Sequence, residues 1–83
     1  MGKRLDFAQV QKDFDSANTL NKLNAEYRSI IYGYELSNKQ DTAVWNMYCK
    51  RRARLYVALT KQGAEGFYSQ EFLQAYGDME VIA

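Results

Sequence analysis

The stretch Ser37-Asn38-Lys39-Gln40-Asp41-Thr42-Ala43-Val44-Trp45-Asn46-Met47-Tyr48-Cys49-Lys50-Arg51-Arg52-Ala53-Arg54-Leu55-Tyr56-Val57-Ala58-Leu59-Thr60-Lys61-Gln62, followed by Gly63, decides the fold. Ser37 and Gln40 stand three apart, the spacing of a capping box. There the serine side chain accepts from the backbone and the glutamine reaches back to the cap. Beyond it, Val44, Met47, Tyr48, Leu55, Ala58 and Leu59 share one arc of a wheel turned about 100° per residue. Gly63 is the natural C-terminal stop. The reading is one long helix from Asn38 to about Gln62, with an apolar side that needs partners.

Those partners lie on both sides in the chain. Phe7, Val10, Phe14 and Ala17 recur at spacings of three and four, which predicts a short helix from about Asp6 to Ala17. Asp6 is its cap, Gln9 is placed to answer it, and Leu5 and Val10 hold the staple positions. Leu20, Leu23, Tyr27, Ile30 and Ile31 form the stripe of a second helix from Asn18 or Thr19 to Tyr32, with Gly33 as its stop. Asp15-Ser16-Ala17-Asn18 is only a modest break, so these two helices read as either separate or continuous. After Gly63-Ala64-Glu65-Gly66, Ser69 caps a fourth, short helix. Tyr68 and Leu73 are its staple, Phe72, Leu73 and Tyr76 its apolar side, and Gly77 its end. The apolar Val81-Ile82-Ala83 tail takes no assignment, and a strand stays open for it. The expected fold is all-α: a compact three- to four-helix domain with a long central third helix, spanning residues 1–83 as a single domain.

Charge is segregated along this frame. Residues 1–38 are balanced. Residues 39–61 carry Lys39, Lys50, Arg51, Arg52, Arg54 and Lys61 against Asp41 alone, and residues 62–83 carry Glu65, Glu71, Asp78 and Glu80 with no basic residue. On the helical wheel the central run divides. Lys50, Arg54 and Lys61 fall on the solvated side, where they either solvate the helix or meet the acidic C-terminal segment. Arg51 falls within the apolar arc, and Arg52 falls between Tyr48, Leu59 and the Trp45–Tyr56 edge. An unpaired buried charge costs several kcal/mol. Arg51 is therefore expected either to pair with a carboxylate such as Glu35, Asp13 or a C-terminal acid, or to anchor a partner. Arginine, tryptophan and tyrosine dominate binding hot spots. Trp45, Lys50, Arg51, Arg52, Arg54 and Tyr56 are accordingly the candidate partner-binding residues.

Several chemistries lack their residues. With no histidine there is no His-based triad or dyad, and one cysteine without histidine cannot build a zinc site. The glycines form no phosphate-binding loop, and Asp13 and Asp15 diverge on a helix. No catalytic residue, metal or cofactor is expected, and the chain reads as a non-enzyme. Cys49 beside Lys50 and Arg51 reads as a structural thiol. A lone cysteine, the absence of a membrane-length apolar run, and a Met1-Gly2-Lys3-Arg4 start without a secretory signal or myristoylation pattern make cytoplasmic the expected location. The net charge of +1 and isoelectric point near 7.8 fall below the balance of typical nucleic-acid-binding domains. Asn38, Lys39, Gln40 and Asp41 would head the recognition helix if the second and third helices formed a helix-turn-helix.

Tyr34-Glu35-Leu36-Ser37, followed by a long helix carrying Arg51, Ala53 and Leu55, resembles the Hha/YmoA family of small four-helix proteins that bind the nucleoid protein H-NS and modulate silencing. The resemblance implies a shared helical layout and a nucleoid-associated regulatory role. Cys49 stands where that family places a partner-binding aspartate, the segment before Tyr34 is longer, and the family's last-loop proline is missing.

The leading expectation is a small non-catalytic protein that binds a protein partner as a regulator, adaptor or inhibitor, of the kind phages and mobile elements encode. The alternatives are a nucleic-acid-binding or Hha-like regulator using the basic third helix, and a structural homo-oligomer subunit. No membrane partner is expected.

Overall fold

The computed structural model describes residues 4–82; Met1-Gly2-Lys3 and Ala83, on which the readings of the start and of the tail's last residue rest, lie outside the described residues. Four helices follow one another: α1 (Phe7–Ser16), α2 (Leu20–Gly33), α3 (Asn38–Lys61) and α4 (Gln70–Tyr76). Among the described residues there is no strand, and Val81-Ile82 runs as irregular chain. The fold is the all-α arrangement with a long third helix that the capping box and apolar arc predict.

Each boundary has a local cause. Asp6 accepts from the backbone N–H groups of Ala8 and Gln9, and Thr19 and Ser69 accept from those of Lys22 and Phe72. At Ser37 both halves of the capping box form: Gln40 N–H donates to Ser37 Oγ and Ser37 N–H donates to Gln40 Oε1. The reciprocal bond expected of Gln9 does not form, because its amide donates forward to Asp13 Oδ1, one turn on, at 2.8 Å. Helices α1 and α2 are separate: Ala17, Asn18 and Thr19 leave the helical conformation between them. α3 ends in a Schellman motif. Gly63 takes φ +107° and donates to Thr60 O, while the N–H of Ala64 reaches back to Leu59 O. Gly33 acts differently from expectation. It is the last residue of α2, without a positive φ, and Tyr34 is the cap.

α3 packs against α1 and α2, and α4 closes on α2. Val10, Phe14, Ala17, Leu20, Leu23, Ile30, Val44, Tyr48, Leu55, Leu59, Ala64 and Phe72 are buried together. Of the predicted arc on α3, Met47 and Ala58 are partly exposed and the other four are buried. Twenty-four residues in α3, rising 1.5 Å each, give a rod of about 36 Å, which accounts for most of the 45 Å long axis. The radius of gyration of 13.5 Å exceeds the roughly 12 Å of a compact chain this long. The molecule is elongated along α3, and midway along it Cys49, Arg51, Arg52 and Tyr56 are half-buried beside the buried Tyr48 and Leu55.

The C-terminal segment locks the base of α2. Gly77 O accepts from Asn21 N–H at 2.9 Å, satisfying a first-turn donor that α2 cannot satisfy itself. Val81 N–H donates to Asn18 O at 2.8 Å. The Gln62 side chain grips the same segment twice, donating to Glu80 O and accepting from Ile82 N–H. A Cβ at Gly77 would run into Leu73 O and come within 2.7 Å of the Asn21 amide, which Asp78 holds in place. At Gly33 a Cβ would meet nothing within 4 Å. Gly77→Ala is therefore expected to lower stability by about 1–3 kcal/mol, whereas Gly33→Ala is neutral or stabilising by up to about 1 kcal/mol. Urea unfolding of the two variants side by side checks the contrast.

Candidate functional site

The basic run of α3 separates into three environments. Lys50, Arg54 and Lys61 are exposed, as the wheel predicts. Around them Ala53, Val57 and Ala58 line a shallow apolar strip on the outer side of the helix.

Arg51 turns toward α1. Its Nε donates to Phe14 O at 3.1 Å, and its Nη2 donates to Asp15 O at 3.1 Å and to Ala17 O at 3.0 Å. The expected carboxylate partner is thus replaced by three backbone carbonyls. The reason lies in α1, which has no basic residue in its last turn, so its terminal carbonyls and the negative end of its dipole lack a local cation. Arg51 supplies that cation from another helix, and its planar fork reaches several acceptors at once.

Arg52, one residue on, takes a different course. Its guanidinium carbon lies over the rings of Tyr68, Tyr48 and Trp45, at 4.8, 5.2 and 5.8 Å from their centroids. Tyr27 from α2 stacks on Tyr48 at 4.4 Å and tilts against Trp45 at 5.8 Å. Tyr68 arrives from the α3–α4 loop, held there by aromatic contacts with Tyr56 and Phe72, which pack on each other, and Phe72 in turn packs on Tyr76. The Tyr56 hydroxyl donates to Gly66 O and so ties this loop down. Trp45 keeps 44% of its surface exposed, and Phe67, next to Tyr68, keeps 91%. The result is a half-open aromatic edge with one guanidinium set in it.

The structure brings Trp45, Arg52 and Tyr56 together on this edge. It places Lys50 and Arg54 on the exposed side of α3 and Arg51 against α1. Tyr27 and Tyr68 join the edge although sequence reasoning treated them as core or staple residues. The only sequence signal for them is the abundance of tyrosine, seven in 83 residues. At the start of α3, Gln40 is spent in the capping box, which removes one of the four base-reading side chains that a helix-turn-helix would use. Among the described residues, no group of three or more potential ligands could hold a metal ion, and no helix is long and apolar enough to cross a membrane.

The electrostatics of the edge follow from burial. Tyr48 donates its hydroxyl proton to Asn24 Oδ1. Burial, with Tyr68 alongside, pushes its pKa up to about 12. Tyr27 is also raised, by burial and then by the nearby Asp41 carboxylate. For Arg52, partial burial lowers the pKa, but a hydrogen bond with Tyr48 and the nearby Tyr48, Cys49 and Tyr68 together outweigh it, and the net direction is upward.

Comparison with known protein families, curated proteins and solved structures finds no match. The likeness to the Hha/YmoA family rests on the residues quoted for it alone.

Two predictions follow from these environments. Arg51→Lys keeps the charge and loses the fork, so it is expected to destabilise by about 2 kcal/mol, the scale of a charge-assisted hydrogen bond. Amide hydrogen exchange should quicken selectively in α1. The second concerns alkaline pH. A phenol whose folded pKa is raised holds its proton more tightly in the native state, so its contribution is complete below pH 10 and is lost as pH rises from about 10 toward 12. The urea midpoint is expected to fall across that window. In Tyr48→Phe it starts lower, because Asn24 loses its partner, and falls less steeply.

Proposed function

We propose that this chain is a non-catalytic protein-binding module, a regulator, adaptor or inhibitor, whose contact surface is the aromatic edge of Trp45, Arg52, Tyr27 and Tyr68. The observation that carries this reading is a half-exposed tryptophan beside a guanidinium already seated on three rings. Large, rigid aromatic side chains give up little conformational entropy on binding, and tryptophan, tyrosine and arginine supply most hot-spot energy. Tyr56 supports the surface from behind by fixing the loop that carries Tyr68 and Phe67.

A second reading, nucleic-acid binding, draws on the exposed stripe of Lys50, Arg54 and Lys61. These cations span about three turns of α3 on a side distinct from Arg52. Phosphate contacts of this kind would make affinity fall steeply with salt.

The two sides of α3 allow one experiment to separate the readings. The tagged chain is used for affinity capture from source-cell lysate, with and without nuclease. Three forms are compared: wild type, Trp45→Ala, and a triple variant with Lys50→Glu, Arg54→Glu and Lys61→Glu. Circular dichroism first confirms equal helicity. Protein binding at the aromatic edge predicts nuclease-resistant capture that falls at least about tenfold in Trp45→Ala and survives in the triple variant. Capture that vanishes with nuclease and with the triple variant overturns it in favour of nucleic acid.

A further inference from the structure

Arg51 and Arg52 are neighbours in sequence and opposites in how their charge is used. Arg51 spends its donors on three carbonyls. Arg52 is held by cation–π attraction to Trp45, Tyr48 and Tyr68 and by a hydrogen bond with the Tyr48 hydroxyl, which fixes the guanidinium while leaving most of its five N–H groups unspent. The groups that face it are Tyr48, Cys49 and Tyr68. None is a carboxylate. Tyr48 gives its proton to Asn24, and its raised pKa keeps it from becoming a neutralising phenolate at ordinary pH. A fully charged fork therefore stands at a part-exposed, partly desolvated position with its orientation already set.

We propose that Arg52 is a preformed receptor for a single carboxylate of a partner polypeptide, an acidic residue whose adjoining apolar side chain lies on the exposed indole of Trp45. This inference rests on the protein-binding reading of the same edge and names the chemistry of the partner. A planar guanidinium matches a carboxylate in bidentate geometry. The low-dielectric rim of three aromatic rings strengthens the pair relative to one in open water. Entropy favours it as well, since the ring contacts immobilise the arginine before the partner arrives. Phosphate fits less well. Its second charge calls for a cluster of cations, and the other cations of the run, Lys50, Arg54 and Lys61, lie on a different side of α3. The neighbouring Trp45, exposed over 44% of its surface, gives the partner's flanking residue an apolar seat.

The test uses the full chain and a displayed library of random twelve-residue peptides, prepared with capped and with free C-termini. Selected peptides are synthesised and titrated against wild type, Trp45→Ala, Arg52→Gln and Arg52→Lys, each first shown to fold by circular dichroism. The expected result is enrichment of Asp or Glu next to an aromatic or large aliphatic residue. Arg52→Gln should lose at least about tenfold in affinity, and Arg52→Lys should recover only part of it. Replacing the peptide's acid by its amide should cost the same amount on wild type and almost nothing further on Arg52→Gln. Enrichment confined to free C-termini identifies a terminal carboxylate as the source; enrichment in capped peptides identifies a side chain. Binders sensitive to Trp45→Ala yet indifferent to Arg52→Gln overturn the carboxylate receptor while leaving the edge as a binding surface. Binders indifferent to both variants, or an absence of binders, overturn the edge itself. Competition by inorganic phosphate at concentrations where acetate has no effect overturns the carboxylate assignment.

Discussion

An arginine on the apolar side of a long helix has to find acceptors before that side can close, and here α1 provides them. Phe14, Asp15 and Ala17 offer carbonyls at the C-terminal end of α1, Phe14 O being already bonded by the Ala17 N–H, and Arg51 donates to all three. The bond set fixes where α1 ends along α3, which seats Phe14 fully inside the core. It also sets the point from which the chain turns through Asn18 and Thr19 into α2. Downstream, the same solution recurs at another helix end. The first turn of α2 is completed by Gly77 O, and Asn18 O is taken by Val81. Helices this short are marginal alone. In this protein the open ends of α1 and α2 are closed by segments distant in the chain, so helix formation and tertiary docking reinforce one another.

The helices themselves were legible because their signals are local. Ser37 and Gln40 announce α3, Gly63 ends it in the left-handed conformation, and Asp6, Thr19 and Ser69 cap where their side chains allow. The errors arise where two local options compete. Gln9 had a cap behind it and Asp13 ahead, and the forward partner won. Gly33 could have stopped α2 in a positive-φ conformation, but nothing required it to. The partner of Arg51 was hidden for a different reason. A search for charge partners looks for carboxylates, whereas unsatisfied carbonyls at a helix end carry no side-chain signature. Their location becomes meaningful only once α1 lies across α3.

The aromatic edge shows the same limit on a larger scale. That Trp45, Arg52 and Tyr56 share one side of α3 follows from the wheel. Tyr27 comes from α2 and Tyr68 from a loop sixteen residues beyond Arg52, so their convergence depends on tertiary geometry. What the sequence shows as one basic cluster is three separate devices: Arg51 closes a helix end, Arg52 sits among rings, and the stripe of Lys50, Arg54 and Lys61 meets solvent. Substituting charges in the run without distinguishing these would mix a stability effect with two different binding hypotheses.

Midway along α3, Tyr48 and Leu55 are buried, while Cys49, Arg51, Arg52 and Tyr56 sit at the boundary between core and water. Tyrosine suits that boundary because its ring packs inward while its hydroxyl reaches a polar partner. The Tyr48 hydroxyl bonds Asn24 and the Tyr56 hydroxyl bonds Gly66. Arg52 fits because its charge stays near solvent while the rings hold it. A fully apolar residue at position 52 would pack against the same rings without the cost of partly desolvating a cation. The attraction of the cation to the three rings offsets part of that cost. What results is a guanidinium fixed over three rings and hydrogen-bonded to Tyr48, half-exposed, with its charge not neutralised by any of the groups that set its pKa.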